Sequence, residues 1–169
     1  YAAGRPGDVG GPTYRVSMRI LHTSDWHIGR TFHGHNTLEA LSSVLEVMVQ
    51  EVRVREIDVV IVAGDVFDSA TPAAACYPML AAALSRLREA GAQVIVTSGN
   101  HDSAARLGFL AEFAGGAGVH MVTDPATIGT PIAIDDEHGT VLFYGLPYLE
   151  PTLVRGHWPG VELRTQAQT

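Results

Sequence analysis

The chain has 169 residues, 46% apolar and 17% charged, and 11 Lys and Arg against 18 Asp and Glu give a formal net charge of −7. That length supports one domain with a sizeable core. No apolar run approaches the length of a membrane span, and Cys76, the single cysteine, cannot form an internal disulfide, so a cytoplasmic protein is expected. The acidic balance is the wrong sign for gripping a polyanion by charge alone, so a nucleic-acid substrate would need bound cations or basic surface supplied from elsewhere.

Residues 1–17 are rich in Gly and Pro, without periodicity, and are expected to be a disordered or non-native extension, with Met18 as the natural start. Arg19 to Thr23 predicts a short strand containing His22, which is expected to be a satisfied core histidine. Asn36 with Glu39 three places on is a helix-start signal. Leu38, Leu41, Leu45, Met48 and Val52 then recur at helical spacing. Val59 to Ala63 is a continuous β-branched run of the kind buried on both faces of a parallel sheet.

Thr71-Pro72 predicts the start of a second helix, which carries Cys76, Leu80, Leu84 and Leu87 on one face and stops before Gly91. Val94 to Thr97 predicts a third strand and Ala104 to Phe113 one short helix. Val119–Val122, Ile132–Ile134 and Val141–Tyr144 read as strands, the last two joined across 135–139 as a hairpin. Residues 152–169 show little pattern. Alternation of strand and helix at this spacing gives an α/β fold with a parallel sheet and flanking helices.

In open sheets of this class, ligands bind beyond the carboxyl ends of the strands. A polar cluster follows each of the first three strands: Ser24-Asp25-Trp26-His27, Gly64-Asp65-Val66-Phe67-Asp68 and Gly99-Asn100-His101-Asp102. Parallel strands deliver all three to one sheet edge, where Asp25, His27, Asp65, Asn100 and His101 can converge. Carboxylate, imidazole and amide oxygen together suit Mn²⁺, Fe²⁺ or Zn²⁺. Asp25 and His27 can chelate one ion, Asp65 can bridge two ions roughly 3.5–4 Å apart, and Asn100 offers an oxygen to the second. A lone Gly-Asp after a strand is usually a plain turn, but D-x-H, G-D-x-x-D and G-N-H-D in this order are improbable by accident. His33 and His35 have no carboxylate close in sequence and are expected in a solvated or substrate-facing loop. His120 and His138 are expected at the surface, and His157 lacks the apolar strand that would mark it as a ligand.

These clusters resemble those of the calcineurin-like metallophosphoesterase superfamily. The longer strings Met18 to Gly29 (MRILHTSDWHIG), Val62 to Asp68 (VAGDVFD), Ser98 to Asp102 (SGNHD) and Leu146 to Pro151 (LPYLEP) are similar to SbcD-type DNA-repair nuclease subunits, over residues 18–151. The resemblance implies Asp25, His27, Asp65 and Asn100 as ligands of two divalent ions, Mn²⁺ in that family, and His101 acting on the phosphate and leaving group. It also implies that Asp68 accepts a hydrogen bond from His101 as a catalytic dyad. DNA as substrate, an SbcC-type coiled-coil ATPase partner and a homodimer follow from it, with no membrane role.

The family's three further metal-binding histidines, one after a later strand and two in a G-H-x-H motif, have no match here. The chain is therefore read as the N-terminal part of the nuclease domain, truncated before the last ligand motifs, and weak or inactive by itself. The expected chemistry is in-line attack of water on a phosphodiester, with a proton or hydrogen bond from His101 to the departing oxygen. The alternatives are a small-molecule phosphodiesterase or phosphatase on the same fold, and a scaffold that keeps the fold without the chemistry.

Overall fold

The computed structural model describes residues 17–109 and 111–169, so the expectation for 1–17 falls outside the described residues except at Ser17. Four strands form one wholly parallel sheet: β1 (Ile20–Thr23), β4 (Val59–Ala63), β5 (Gln93–Thr97) and β6 (Val119–Val122), in the order β1-β4-β5-β6. Its register places Ile20 beside Val59, Val60 beside Val94, and Val94 beside Val119. The α/β class expected from the alternating pattern is the one observed.

Side chains along a strand point alternately to opposite faces, and both faces of the central strands are covered, which explains why Val59–Ala63 and Val94–Val96 are apolar throughout. Val60, Val62, Val94 and Val96 face α1 (Leu38–Val54) and α2 (Cys76–Glu89), meeting Leu45, Val49 and Val52 of the first and Leu80, Leu84 and Leu87 of the second. Val59 and Ile95 point the other way, onto Ile134 of a hairpin formed by β7 (Ile132–Asp136) and β8 (Gly139–Phe143). Helices thus cover one face and the hairpin the other. No helix among the described residues is long and apolar enough to cross a membrane.

His22 is exposed, contrary to expectation. It pairs in register with Ile61 on the hairpin face, but β1 is the sheet edge, and the described hairpin packs over the centre around Val59 and Ile95 instead. The first helix begins at Leu38, with Thr37 at its cap, although the Asn36 side chain does accept a hydrogen bond from the Leu38 N–H at 2.8 Å.

The second helix begins at Cys76 rather than behind Thr71. The Ser69 hydroxyl accepts from the Thr71 N–H at 3.2 Å, and a turn closed from Cys76 N–H to the Ala73 carbonyl fills the gap. The proline tolerated in its first turn is Pro78, not Pro72.

The single helix expected over Ala104 to Phe113 is divided into α3 (Ala104–Leu107) and α4 (Ala111–Gly116). At the break, a Cβ on Gly108 would lie 2.3 Å from the Thr123 hydroxyl, so only glycine lets the chain pass β6 so closely. Two further strands escaped the sequence reading. β2 (Thr31–Phe32) and β3 (His35–Asn36) form a two-residue hairpin turned at His33 and Gly34, both with positive φ. His33 and His35 are exposed, as a loop position would have them. The tail holds a short helix, α5 (Pro151–Val154), that runs directly into a 3₁₀ turn (Arg155–His157), and a second 3₁₀ turn (Gln166–Gln168).

Candidate metal centre

The loop after β1 is bonded along its length to the loop after β4. Asp25 N–H donates to the Gly64 carbonyl (3.2 Å), His27 N–H to that of Asp65 (2.9 Å), and Ile28 N–H to that of Val66 (2.9 Å), while Asp68 N–H returns to the Ile28 carbonyl (3.2 Å). Ile28 and Phe67 lie beneath these bonds, 1% and 2% exposed, and anchor both loops in the core. Trp26 is buried too, its indole N–H on the Thr23 hydroxyl at 3.1 Å, so its part is in packing.

The third loop is held by Asp102. One carboxylate oxygen accepts from the N–H groups of Gly99 (2.8 Å) and Val66 (3.1 Å), and the other from that of Phe67 (2.9 Å). This role went unread in the sequence, although an acid closing a loop onto the N–H three residues back is a recurrent local motif. The glycines allow the closeness: a Cβ on Gly64 would meet Gly99 Cα at 3.0 Å, and one on Gly99 would lie 2.1 Å from the Asp65 carboxylate.

Backbone restraint on all three loops brings the side chains together. His27 Nε2 lies 3.6 Å from an Asp25 carboxylate oxygen and 3.8 Å from one of Asp65. These gaps are too long for hydrogen bonds and only a little wider than the separation of about 3.0–3.4 Å between donors sharing one ion at roughly 2.1 Å. His27, Asp65 and His101 each offer a ligand atom within 4.8 Å of the others, and the rings of His27 and His101 meet edge-on with centroids 4.9 Å apart. The mixed oxygen and nitrogen donors, with carboxylates facing one another around an imidazole, fit a divalent cation. Asp25, His27 and Asp65 all hold left-handed backbone, at φ 57°, 43° and 49°. Such strain in non-glycine residues gathers at functional sites.

A family model described as calcineurin-like phosphoesterase matches residues 18–160. The chain belongs to this family. Metallophosphoesterases of this kind depend on divalent metal, and the His27, Asp65 and His101 group is where this chain could hold one. The chain is accordingly a metal-dependent phosphoester hydrolase by family.

Within the site, the phosphoesterase loops place one expected residue differently from the reading above. The Asp68 carboxylate does not pair with the His101 ring. His101 Nδ1 lies 2.9 Å from the Asp68 main-chain carbonyl, while the carboxylate is turned to His27, 3.1 Å from its Nδ1. The reason is the bond from Asp68 N–H to Ile28, which draws the residue toward the first loop. Asn100 is exposed and lines a cleft of about 590 Å³ with Ser103, Tyr148, Glu150 and His157. The segment after β8 reaches this cleft because Tyr148 N–H donates to the Ser98 carbonyl at 2.8 Å.

The His101 N–H donates to an Asp65 carboxylate oxygen at 3.0 Å. Its imidazole pKa is raised above the usual 6.5, first by the Asp68 carbonyl, then by the charges of Asp65 and Asp68, against the opposing effects of desolvation and Arg30. His120 is half-buried rather than a surface residue, with Nε2 3.3 Å from the Gln93 side-chain oxygen. His138 is exposed in the hairpin turn, as expected.

Proposed function

We propose that this metallophosphoesterase cleaves phosphodiester bonds in DNA, as the nuclease subunit of an SbcCD-type complex that processes double-strand breaks. The observation that carries the hydrolytic part is the meeting of Asp25, His27 and Asp65 donors around one point at the sheet edge. The nuclease part is supported by the strings Met18 to Gly29, Val62 to Asp68 and Ser98 to Asp102, which resemble SbcD-type subunits. The same resemblance supports Mn²⁺ as the ion, and an SbcC-type ATPase and a second copy of the chain as partners.

In this reading Asp25 and His27 would hold one ion, Asp65 would serve both, and the Asn100 amide oxygen would serve the second. Bound ions would offset charge on the phosphoryl oxygens and lower the pKa of water. A water oxygen forms the new bond to phosphorus as the bond to the departing oxygen breaks, and the attacking water gives up its proton to solvent. His101 is held through Nδ1 on the Asp68 carbonyl, which leaves Nε2 to carry a proton to the departing oxygen.

The net charge of −7 favours a second reading, hydrolysis of small phosphoesters that need no extended basic surface. Full-length protein supplied with Mn²⁺ and offered linear duplex DNA, single-stranded circles, cyclic nucleotides and p-nitrophenyl phosphate separates the two. DNA cleavage at the highest kcat/KM is expected, and a preference for the small esters would overturn the nuclease assignment. Asp65→Ala is expected to remove both ions by metal analysis after desalting, and two ions per chain surviving that change would sink the bridging role.

A further inference from the structure

Asp68 touches both histidines of the site, by different atoms. Its main-chain carbonyl faces His101, and its carboxylate oxygen lies 3.1 Å from Nδ1 of His27. That Nδ1 is buried and has no hydrogen-bond partner of acceptable geometry, because the carboxylate is at the right distance but off the ring N–H direction. The opposite ring nitrogen, Nε2, is the one that faces Asp25 and Asp65. Arg30 is the carboxylate's other neighbour, but its Nε is 4.0 Å away and its side chain 56% exposed, too loose to hold Asp68 away from the imidazole.

We propose that Asp68 is the positioning residue of His27. Its carboxylate takes the hydrogen bond from Nδ1–H, fixes that tautomer and so turns the Nε2 lone pair toward the metal centre, while its carbonyl separately holds His101. The inference deepens the metal-centre reading and rests on it. A small rotation of the Asp68 side chain completes the bond that the buried Nδ1 lacks. Carboxylates behind a ligating histidine act in this way, orienting the ring and raising its basicity, and their loss weakens metal binding by 10–100-fold. The two duties of Asp68 are separable, since a side-chain substitution removes the carboxylate and leaves the carbonyl. The dyad implied by the family resemblance makes the opposite forecast, in which the substitution slows turnover and leaves metal content intact.

The test is titration calorimetry with Mn²⁺ on full-length protein, together with ¹⁵N-histidine spectra of the metal-free state. Asp68→Ala is expected to weaken the ion by roughly 10–100-fold, and Asp68→Asn, whose amide oxygen still accepts, by less. In a His27→Ala background the Asp68 substitution is expected to add nothing further. His27 is expected to hold its proton on Nδ1 in the parent and to populate both tautomers in Asp68→Ala. Asp68→Asn keeps the volume and serves where the alanine variant does not fold. Metal affinity within twofold of the parent in Asp68→Ala, or a loss undiminished without His27, overturns the proposal and leaves the metal-centre reading standing. A parent protein that binds no divalent ion overturns both.

Discussion

Asp102 carries more of the site's architecture than any residue that faces the centre. Its two oxygens accept three main-chain N–H groups, and those donors belong to two different ligand loops. Asp102→Ala would leave Val66, Phe67 and Gly99 without their acceptor in a partly enclosed place, at a cost of about 2–4 kcal/mol. The expected result is a lower urea midpoint together with weaker metal binding, because Asp65 and His101 lose their common frame. Asp102→Asn should fall between, since its NH₂ group must face at least one of the same donors. The aspartates divided in how readily they could be read. Asp25 and Asp65 were legible because a carboxylate after a strand end has one obvious use. Asp102 and the carboxylate of Asp68 were not, because their partners are backbone N–H groups and a ring nitrogen brought near by the chain's tertiary path.

Among the elements, the strands of the main sheet were legible, whereas the short β2–β3 hairpin and the start of the second helix were not. A buried parallel strand announces itself by a β-branched run such as Val59 to Ala63, whereas a helix start depends on where a competing turn ends. Ser69 and Ala73 supply such turns before Cys76, and Gly108 divides a helix only because Thr123 lies against it. Strand β6 adds a pH response of its own. The His120 pKa is lowered from 6.5, first by burial and then by the Arg88 charge. Well above 6.5 the ring is neutral in folded and unfolded chains alike. As pH falls below 6.5 the unfolded chain takes up a proton that the folded one resists, so stability drops, until the folded ring titrates in turn. His120→Gln is therefore expected to flatten the fall in melting temperature between about pH 7.5 and 5.5, measured in chelator to keep metal binding out of the comparison. An equally steep fall in the variant would assign the acid sensitivity elsewhere.

At the scale of the molecule, one apolar cleft is lined by none of the candidate metal donors. It measures about 600 Å³ and is lined by Tyr77, Leu84, Phe109 and Met121 among others. Phe109, which lines this cleft, and Phe113 of α4 stand 80% and 82% exposed. Apolar surface of this kind is uncommon on a solitary domain, and it is where the proposed second copy would pack. Light scattering of the full-length protein is expected to give a dimer, and Phe109→Ser with Phe113→Ser to shift it toward monomer with the helical content kept. A dimer indifferent to both changes would place the interface elsewhere.

The left-handed backbone at Asp25, His27 and Asp65 bears on the whole fold as well. Aspartate and histidine enter that region more easily than most residues, yet each still costs on the order of 1 kcal/mol, and glycine there would cost little. A laboratory search for heat-resistant variants, run with chelator in the buffer, would be drawn to Asp25→Gly, His27→Gly and Asp65→Gly. Every such gain in melting temperature would delete a candidate donor. Robustness of the bare protein and usefulness of the loaded one pull in opposite directions at the same three codons.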